Sequence, residues 1–439
     1  MFITRKKFFK YILSIIGIVI FLAIIFFSYQ YSEKKKSRIN FLNKKIVKLE
    51  KNRDNAPNEI GYIPLTFVEE KKIQIGNDLY KLKKYKTSLI NFTTGFGGKG
   101  SSYLDYYENK LYLVTAKGIF SYNKLNKIEK SKSKLITINN NFDKIVNTDF
   151  FYKNTAYGIK DILISDDQIY VSFTDEIEKD CYNTSILKAK INEIFLDFKY
   201  FFKTNTCIKE NAEDFFSPHQ SGGRMVEFKN NSILFSIGEY RSRELSQKLD
   251  NVNGKIISID KKTKKYKIIS IGLRNPQGLF YDDVNDVIYL TDHGPQGGDE
   301  INLISEYNNI TNFGWPISSY GEHYNYKTRD RSDSYKIAPL HKSHKKYGFK
   351  EPLKYFTPSI GISQLESINK KDLLVTSMGF NSNEGDLSFH LIKLKNGKII
   401  KHEVINLNER IRDIISINDN KKFILFLESK PSLGILGLN

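Results

Sequence analysis

The chain has 439 residues, 13% of them aromatic, with two cysteines and a formal charge of +19. It is long enough to bury a large core and too rich in apolar and aromatic residues for a disordered chain. Two cysteines exclude a disulfide-dense mini-scaffold and a four-cysteine zinc module.

The charge is concentrated at the start. Residues 1–54 hold thirteen Lys and Arg against Glu33, Glu50 and Asp54, so about half of the positive excess flanks one apolar run, Tyr11 to Tyr29. That run carries no charge and approaches the roughly 20 residues that a helix needs to cross a bilayer. A cleavable signal peptide would have a shorter apolar stretch and a small-residue cleavage site, whereas this run ends in FFSYQYSEKKK. The expectation is an uncleaved transmembrane anchor over 1–30. A basic juxtamembrane helix or linker follows over 31–60, with Ile39, Leu42, Ile46 and Leu49 at helical spacing. Charge bias alone leaves the orientation open.

From residue 61 to 439 the pattern is β-rich. Six runs share a polar turn followed by a branched or aromatic strand, beginning at Asn109, Asp167, Asn231, Asp286, Asp372 and Lys421. A recurring unit of strands without helical period predicts an all-β fold, a six-bladed β-propeller preceded by the N-terminal transmembrane helix. Two further hairpins are expected over residues 253–270 and 389–405. Residues 316–350 break the rhythm and read as a long polar, aromatic surface loop, of the kind that often carries function.

Some local signals are weak. Gly95, Gly97 and Gly100 fit G-x-G-x-x-G, but a strand pattern follows where a dinucleotide site needs a helix, so this reads as a loop at the channel mouth. Cys181 and Cys207 bracket two strand-like runs whose antiparallel pairing would bring their ends together; they are either a disulfide or two separate thiols. His341 and His344 lie in a Lys-rich context with no carboxylate at a matching offset and read as exposed loop histidines.

Three segments resist a bland reading: Pro218 to Met225, Gly272 to Leu279, and Asp292 to Leu303 with Asn312 to Pro316. Each places His, Arg or acidic residues among glycines, where backbone can approach a ligand closely. Read together as H-x-x-G-G-R, G-x-R-N-P-Q-G-L and H-G-P-x-G-G-D-E-I-N-L-I, with N-F-G-W-P and the R-x-R-D of Arg410 to Asp413, they resemble the soluble glucose/aldose (sorbosone-type) dehydrogenases. These are six-bladed propellers that use pyrroloquinoline quinone (PQQ) and calcium.

The resemblance implies oxidation of an aldose to its lactone, hydride passing to the quinone. It implies His219 as general base, suited by an imidazole pKa near neutrality, with Glu239 orienting it. Arg274 is implied both as a catalytic group that stabilises developing charge and, with Asn275, as a contact to the quinone. Arg410 and Arg412 would hold the cofactor carboxylates as forked guanidiniums, and His293 joins the cofactor-binding set. The carbonyls of Gly294 and Pro295 would bind the cofactor-bridging calcium, and Glu300 a second, structural one. The chain departs from the family at Met378-Gly379-Phe380, where a cofactor-pairing Lys is usual, and at residues 93–100 and 355–359.

The resemblance also implies a catalytic domain outside the cytoplasm, periplasmic or extracellular, with a small-molecule sugar as substrate, an unknown electron acceptor and the membrane reached through the N-terminal helix. The competing expectation is a non-catalytic propeller that binds carbohydrate or protein and has lost PQQ. A calcium-dependent lactonase is disfavoured by the arginine cluster. Nucleic-acid binding is disfavoured because no basic helix or RNP-like segment is present.

Overall fold

The computed structural model describes residues 61–87, 101–146, 148–153, 156–209, 216–324, 336–417 and 421–439. The expected anchor and linker over 1–60 and the glycine loop at 93–100 lie outside them. Among the described residues no helix is long and apolar enough to cross a membrane.

The strands form six antiparallel four-stranded units. The first is Ser102–Tyr107, Lys110–Thr115, Phe120–Lys124 and Lys132–Asn140; the second Ile159–Ser165, Gln168–Glu178, Cys181–Lys190 and Lys199–Phe202. The third is Gly222–Phe228, Ser232–Ile237, Lys255–Asp260 and Tyr266–Ile271; the fourth Pro276–Asp282, Val287–Asp292, Asp299–Ile304 and Lys354–Phe356. The fifth is Ile362–Ile368, Asp372–Ser377, Ser388–Lys395 and Lys398–Asn406. The sixth takes Ile411–Ile417, Lys422–Leu427 and Ser432–Leu438 from the C-terminus and its outermost strand, Asp78–Thr87, from the N-terminal side. Tyr62–Ile75 then pairs with both Asp78–Thr87 and the outer strand of the first unit, fastening the sixth blade to the first.

The first strands of the six units neighbour one another in a closed ring, the arrangement of a six-bladed propeller. The six polar-turn runs of the sequence are the second strands of these blades, and the hairpins expected at 253–270 and 389–405 are formed. The turns explain the pattern. Asp166 and Asp167 take φ of 50° and 59°, and Asn230 and Asn231 take 58° and 55°. Paired left-handed residues suit the turn whose twist matches a tight hairpin, and Asn and Asp tolerate that conformation better than most residues.

Hydrophobic clusters fill the spaces between adjacent blades. Phe120, Phe142, Phe173 and Phe198 pack between the first and second, and Leu234, Ile256, Leu279 and Leu290 between the third and fourth. Leu82, Phe389, Ile414 and Leu425 join the fifth to the sixth.

Polar clamps close the ring at the axis. Asp105 accepts from Ile164 N at 2.5 Å, Asp161 from Met225 N at 2.7 Å, and Asp413 from Leu104 N at 2.8 Å. Leu279 N donates to Gln364 at 2.9 Å, and Ser363 Oγ to Ile411 O at 2.7 Å. Arg224 supplies the clamp from the third blade. It donates to Gln277 O at 2.8 Å, Arg412 O at 2.9 Å, Asp161 at 3.0 Å and Asp413 at 2.7 Å, and lies over the Tyr103 ring at 5.2 Å. One buried guanidinium therefore touches four other blades.

Cys181 and Cys207 are bonded, with Cα atoms 5.3 Å apart, which settles the two readings left open by the sequence. The 316–350 segment corrects another expectation. Trp315, Ala338 and Leu340 form a small buried cluster and His344 is 1% exposed, so part of the supposed surface loop packs inward.

Arg224→Met should lower stability by about 3–5 kcal/mol, because it leaves the Asp161 and Asp413 carboxylates buried without their cation. Chemical denaturation of both proteins at neutral pH measures this.

Candidate functional site

The topology gathers the motifs at one end of the ring. Each first strand enters the ring from the same side, so residues at its start share a face of the disc. Pro218 to Gly223 lead into the third blade, Gly272 to Pro276 into the fourth, and Asn408 to Arg410 into the sixth. The link from Asp292 to Asp299 joins the second and third strands of the fourth blade, and Pro276 pairs with Asp292, which brings this link to the same end.

Asp299 builds the link. Its buried carboxylate accepts from Gly294 N at 2.9 Å, Ile360 N at 3.1 Å, Ile362 N at 2.9 Å and Ser359 Oγ at 3.1 Å, and meets His293 Nδ1 at 2.8 Å. Burial would raise its pKa, but His293 and these donors hold it below the ordinary carboxylate range. A Cβ at position 294 would stand 2.1 Å from Gly298 O, so only glycine lets the link fold back on itself.

Arg274 lies beneath this link. Its Nη1 donates to His293 O at 2.6 Å and Gly294 O at 2.7 Å, and its guanidinium lies 5.6 Å from the Trp315 ring. Gln220 accepts from its Nη2 at 2.8 Å and donates to Glu239. No carboxylate forms an ion pair with Arg274 among the described residues, although it is only 5% exposed. Asn275 is held by Asp292 through its backbone N–H at 2.6 Å, and its side-chain oxygen accepts from Gly222 N at 3.1 Å and Gln277 at 2.8 Å. Glu239 is fully buried, and its N–H donates to Arg274 O at 3.0 Å. Glu239 thus reaches both Arg274 and Gln220, the residue next to His219.

His219 has an exposed ring, yet its pKa falls to about 4. Desolvation by the surrounding protein is the main cause, followed by the nearby charges of Lys160, Arg412 and Arg241. The imidazole is therefore neutral across the physiological range and able to take a proton.

Arg410 and Arg412 share one buried acid. Arg412 Nε donates to Glu428 Oε1 at 2.6 Å, Arg410 Nη2 to Glu428 Oε2 at 3.4 Å, and Ser101 Oγ to Glu428 at 2.5 Å. Burial would raise the Glu428 carboxyl, but Arg412, Arg410 and Ser101 overcome it and hold it low. Two cations on one anion leave a surplus positive charge. Arg410 also bonds Met378 O and lies 4.7 Å from the Phe380 ring, so the segment that departs from the family motif is engaged by this arginine.

The structure separates Glu300 from this cluster. Glu300 lies 3.2 Å from His344 Nε2 and accepts from Asn302 at 3.1 Å. His344 also contacts Ser318 Oγ at 2.9 Å, and it is buried, which corrects the expectation of an exposed histidine. Burial opposes protonation of His344, but Glu300 raises its pKa overall, so an imidazolium can serve as counter-ion to that carboxylate. Among the described residues, Pro295 O accepts from Ser359 Oγ alone, at 3.2 Å. Gly294 O already has the Arg274 guanidinium against it. The described residues hold no group of three His, Cys, Asp or Glu arranged for a metal.

Sequence reasoning missed three residues here: Glu428, Lys160 and the axial role of Arg224. Glu428 and Lys160 stand in no motif, and Arg224, although it ends H-x-x-G-G-R, acts on partners far away in sequence that the motif does not reveal.

The fold and site define a six-bladed propeller with Arg274, Arg410, Arg412 and a histidine of lowered pKa gathered at one end of its ring. The family model for glucose/sorbosone dehydrogenases matches residues 127–433, more than half of the chain, and the chain belongs to that family. The aldose sugar dehydrogenase YliI of Escherichia coli K12 is 26% identical over 242 residues, covering 48% of this chain and 58% of that one. An uncharacterized protein of Borreliella burgdorferi is 31% identical over 161 residues, 34% of this chain and 39% of that one. The chain spans between about a third and just over half of the curated relatives it matches.

Among solved structures, the apo-form soluble aldose sugar dehydrogenase of E. coli superposes with a TM-score of 0.59 at 18% identity, covering 77% of this chain and 95% of that one. The PQQ-bound aldose sugar dehydrogenase of Streptomyces coelicolor gives 0.56 at 15% identity, covering 82% and 98%. At these identities the superpositions establish the fold.

The His219 ring should titrate near pH 4 in the ligand-free protein, against 6.5 for an ordinary histidine. A pKa depressed by folding means that the unfolded chain binds the proton more readily. This group therefore costs no stability above pH 6.5, and progressively more as pH falls towards 4. Histidine-ring NMR of wild type and His219→Gln assigns the signal and checks the midpoint.

Proposed function

We propose that the chain is a PQQ-dependent dehydrogenase that oxidises an aldose-type sugar to its lactone, with His219 as general base. The observation that carries this reading is the neutral His219 at the edge of a pocket whose cations, Arg274, Arg410 and Arg412, are under-neutralised. PQQ is a tricarboxylate, and that donor set suits it: Arg410 and Arg412 would hold carboxylates, while Arg274 and Asn275 would face the quinone oxygens. When bound, PQQ supplies the electrophile that accepts the hydride.

The chain's own residues do the rest. His219 takes the proton from the anomeric hydroxyl, and its depressed pKa keeps it free to do so in neutral and mildly acidic solution. Arg274 is fixed by the His293 and Gly294 carbonyls and by Gln220, so its charge is in place before reaction, without reorganisation. Glu239 acts through Gln220 and the backbone of residue 274 and keeps the His219 segment in register with Arg274. His293, pinned by Asp299, lines the same mouth.

Calcium suits the two sites unequally. Pro295 O would share a cation with its Ser359 hydroxyl contact, and Gly294 O would have to share with the Arg274 guanidinium. The residues at Glu300 do not suit calcium, because His344 already faces that carboxylate, and no step is assigned to a metal there.

The uncleaved anchor at Tyr11 to Tyr29 belongs to the same proposal, and the outer side of the membrane is taken from the family resemblance and the Cys181–Cys207 disulfide. The anchor itself rests on the sequence alone. The mass of the mature protein tests it: loss of some 30 N-terminal residues would overturn it.

With PQQ and Ca²⁺, the purified protein should reduce an artificial dye when given one of a panel of aldoses. His219→Ala should lower kcat at least 100-fold with PQQ affinity nearly unchanged. Failure of PQQ to bind in calorimetry, with no dye reduction on any sugar, would favour a non-catalytic binding propeller.

A further inference from the structure

Lys160 lies at the start of the second blade, in none of the motifs, and no carboxylate forms an ion pair with it among the described residues. Its ammonium donates to Ala156 O at 2.7 Å and lies 3.5 Å from Pro218 O, a charge–dipole contact on the residue before His219. The glycine pair that follows His219 makes room for it. A Cβ at Gly223, which has φ of +119°, would stand 2.2 Å from Lys160 Cβ and 3.0 Å from its Cγ. The second glycine of H-x-x-G-G-R is thus the surface over which the lysine stem passes to reach the His219 segment.

We infer that Lys160 is a further cation of the pocket: it holds the Pro218–His219 turn through the Pro218 carbonyl and offers its ammonium to a carboxylate of the bound acidic cofactor.

The ligand half of this inference rests on the PQQ reading given above. Electrostatics agrees with the geometry. Burial first, and then the charges of Lys117 and Arg412, together lower the Lys160 pKa to about 7. Lys160 in turn is the first of the charges that depress His219. A cation made costly by burial and by like charges, with only carbonyls to bind, gains more from an arriving carboxylate than an exposed lysine would. The chain has no lysine in Met378 to Phe380, and Lys160 brings a positive charge to the pocket from another blade.

The test uses Lys160→Met, which keeps the stem over Gly223, and Lys160→Arg, which keeps the charge. PQQ titration by calorimetry should show affinity falling about 10-fold or more in Lys160→Met and largely restored in Lys160→Arg. In the ligand-free proteins, the His219 ring pKa should rise by about half a unit or more in Lys160→Met and stay near the wild-type value in Lys160→Arg. Unchanged PQQ affinity and unchanged His219 titration in Lys160→Met would overturn the inference, as would equal loss in both variants. If wild type itself binds no PQQ, the cofactor reading fails with the ligand half, and the His219 titration alone decides whether Lys160 positions that turn.

Discussion

The fold and the pocket both depend on where Arg224 puts its charge. A guanidinium with almost no solvent access is tolerable only when ion-paired and fully hydrogen-bonded. Arg224 meets that condition by reaching Asp161 in the second blade, Gln277 O in the fourth, and Asp413 and Arg412 O in the sixth. The hydrophobic clusters join blades only in adjacent pairs. The axial contacts tie non-adjacent blades together and so fix the distances across the channel. They also set the pocket above: Gly222 and Gly223 immediately precede Arg224, Gln277 lies beside Asn275, and Arg412 is one residue from Asp413.

Charge is therefore distributed by layer. At the axis, one arginine is matched by Asp161 and Asp413. One layer up, Arg410 and Arg412 share Glu428, and Arg274 is satisfied by carbonyls and an amide without a carboxylate. The charges that act on His219 at the mouth are those of Lys160, Arg412 and Arg241, and Lys160 reaches its turn. A field of that kind attracts an anion and at the same time keeps an imidazole neutral. Recruiting an acidic cofactor and preparing a base are thus consequences of one arrangement. The charge of +19 in the sequence has two separate parts: about half flanks the N-terminal apolar run, and the rest is spread over the propeller, with a few of its cations held in this mouth.

Much of this was legible in the residues. The Asn and Asp turns at 166–167 and 230–231 mark hairpins because left-handed backbone favours those types, so the second strand of every blade stood out. Gly223 and Gly294 stood out because close backbone approach tolerates nothing larger. What sequence could not show was pairing across blades. Lys160 and Glu428 sit in ordinary strand-edge contexts, and their partners in other blades are 58 residues away at Pro218 and 327 residues away at Ser101. His344 looked exposed because its neighbours are lysines, yet it turns inward to Glu300. The fastening of the sixth blade by Tyr62–Ile75 and Asp78–Thr87 was hidden for the same reason: it joins the two ends of the domain.

The central claim is that the mouth beside His219 is an acidic-quinone site prepared by under-neutralised cations. A crystal structure of the protein grown with PQQ and Ca²⁺ tests it most directly. The account predicts quinone density bounded by His219, Arg274, Asn275 and Arg412, with the Arg224 contacts unchanged. A mouth empty at saturating PQQ, or quinone bound elsewhere on the propeller, would contradict it.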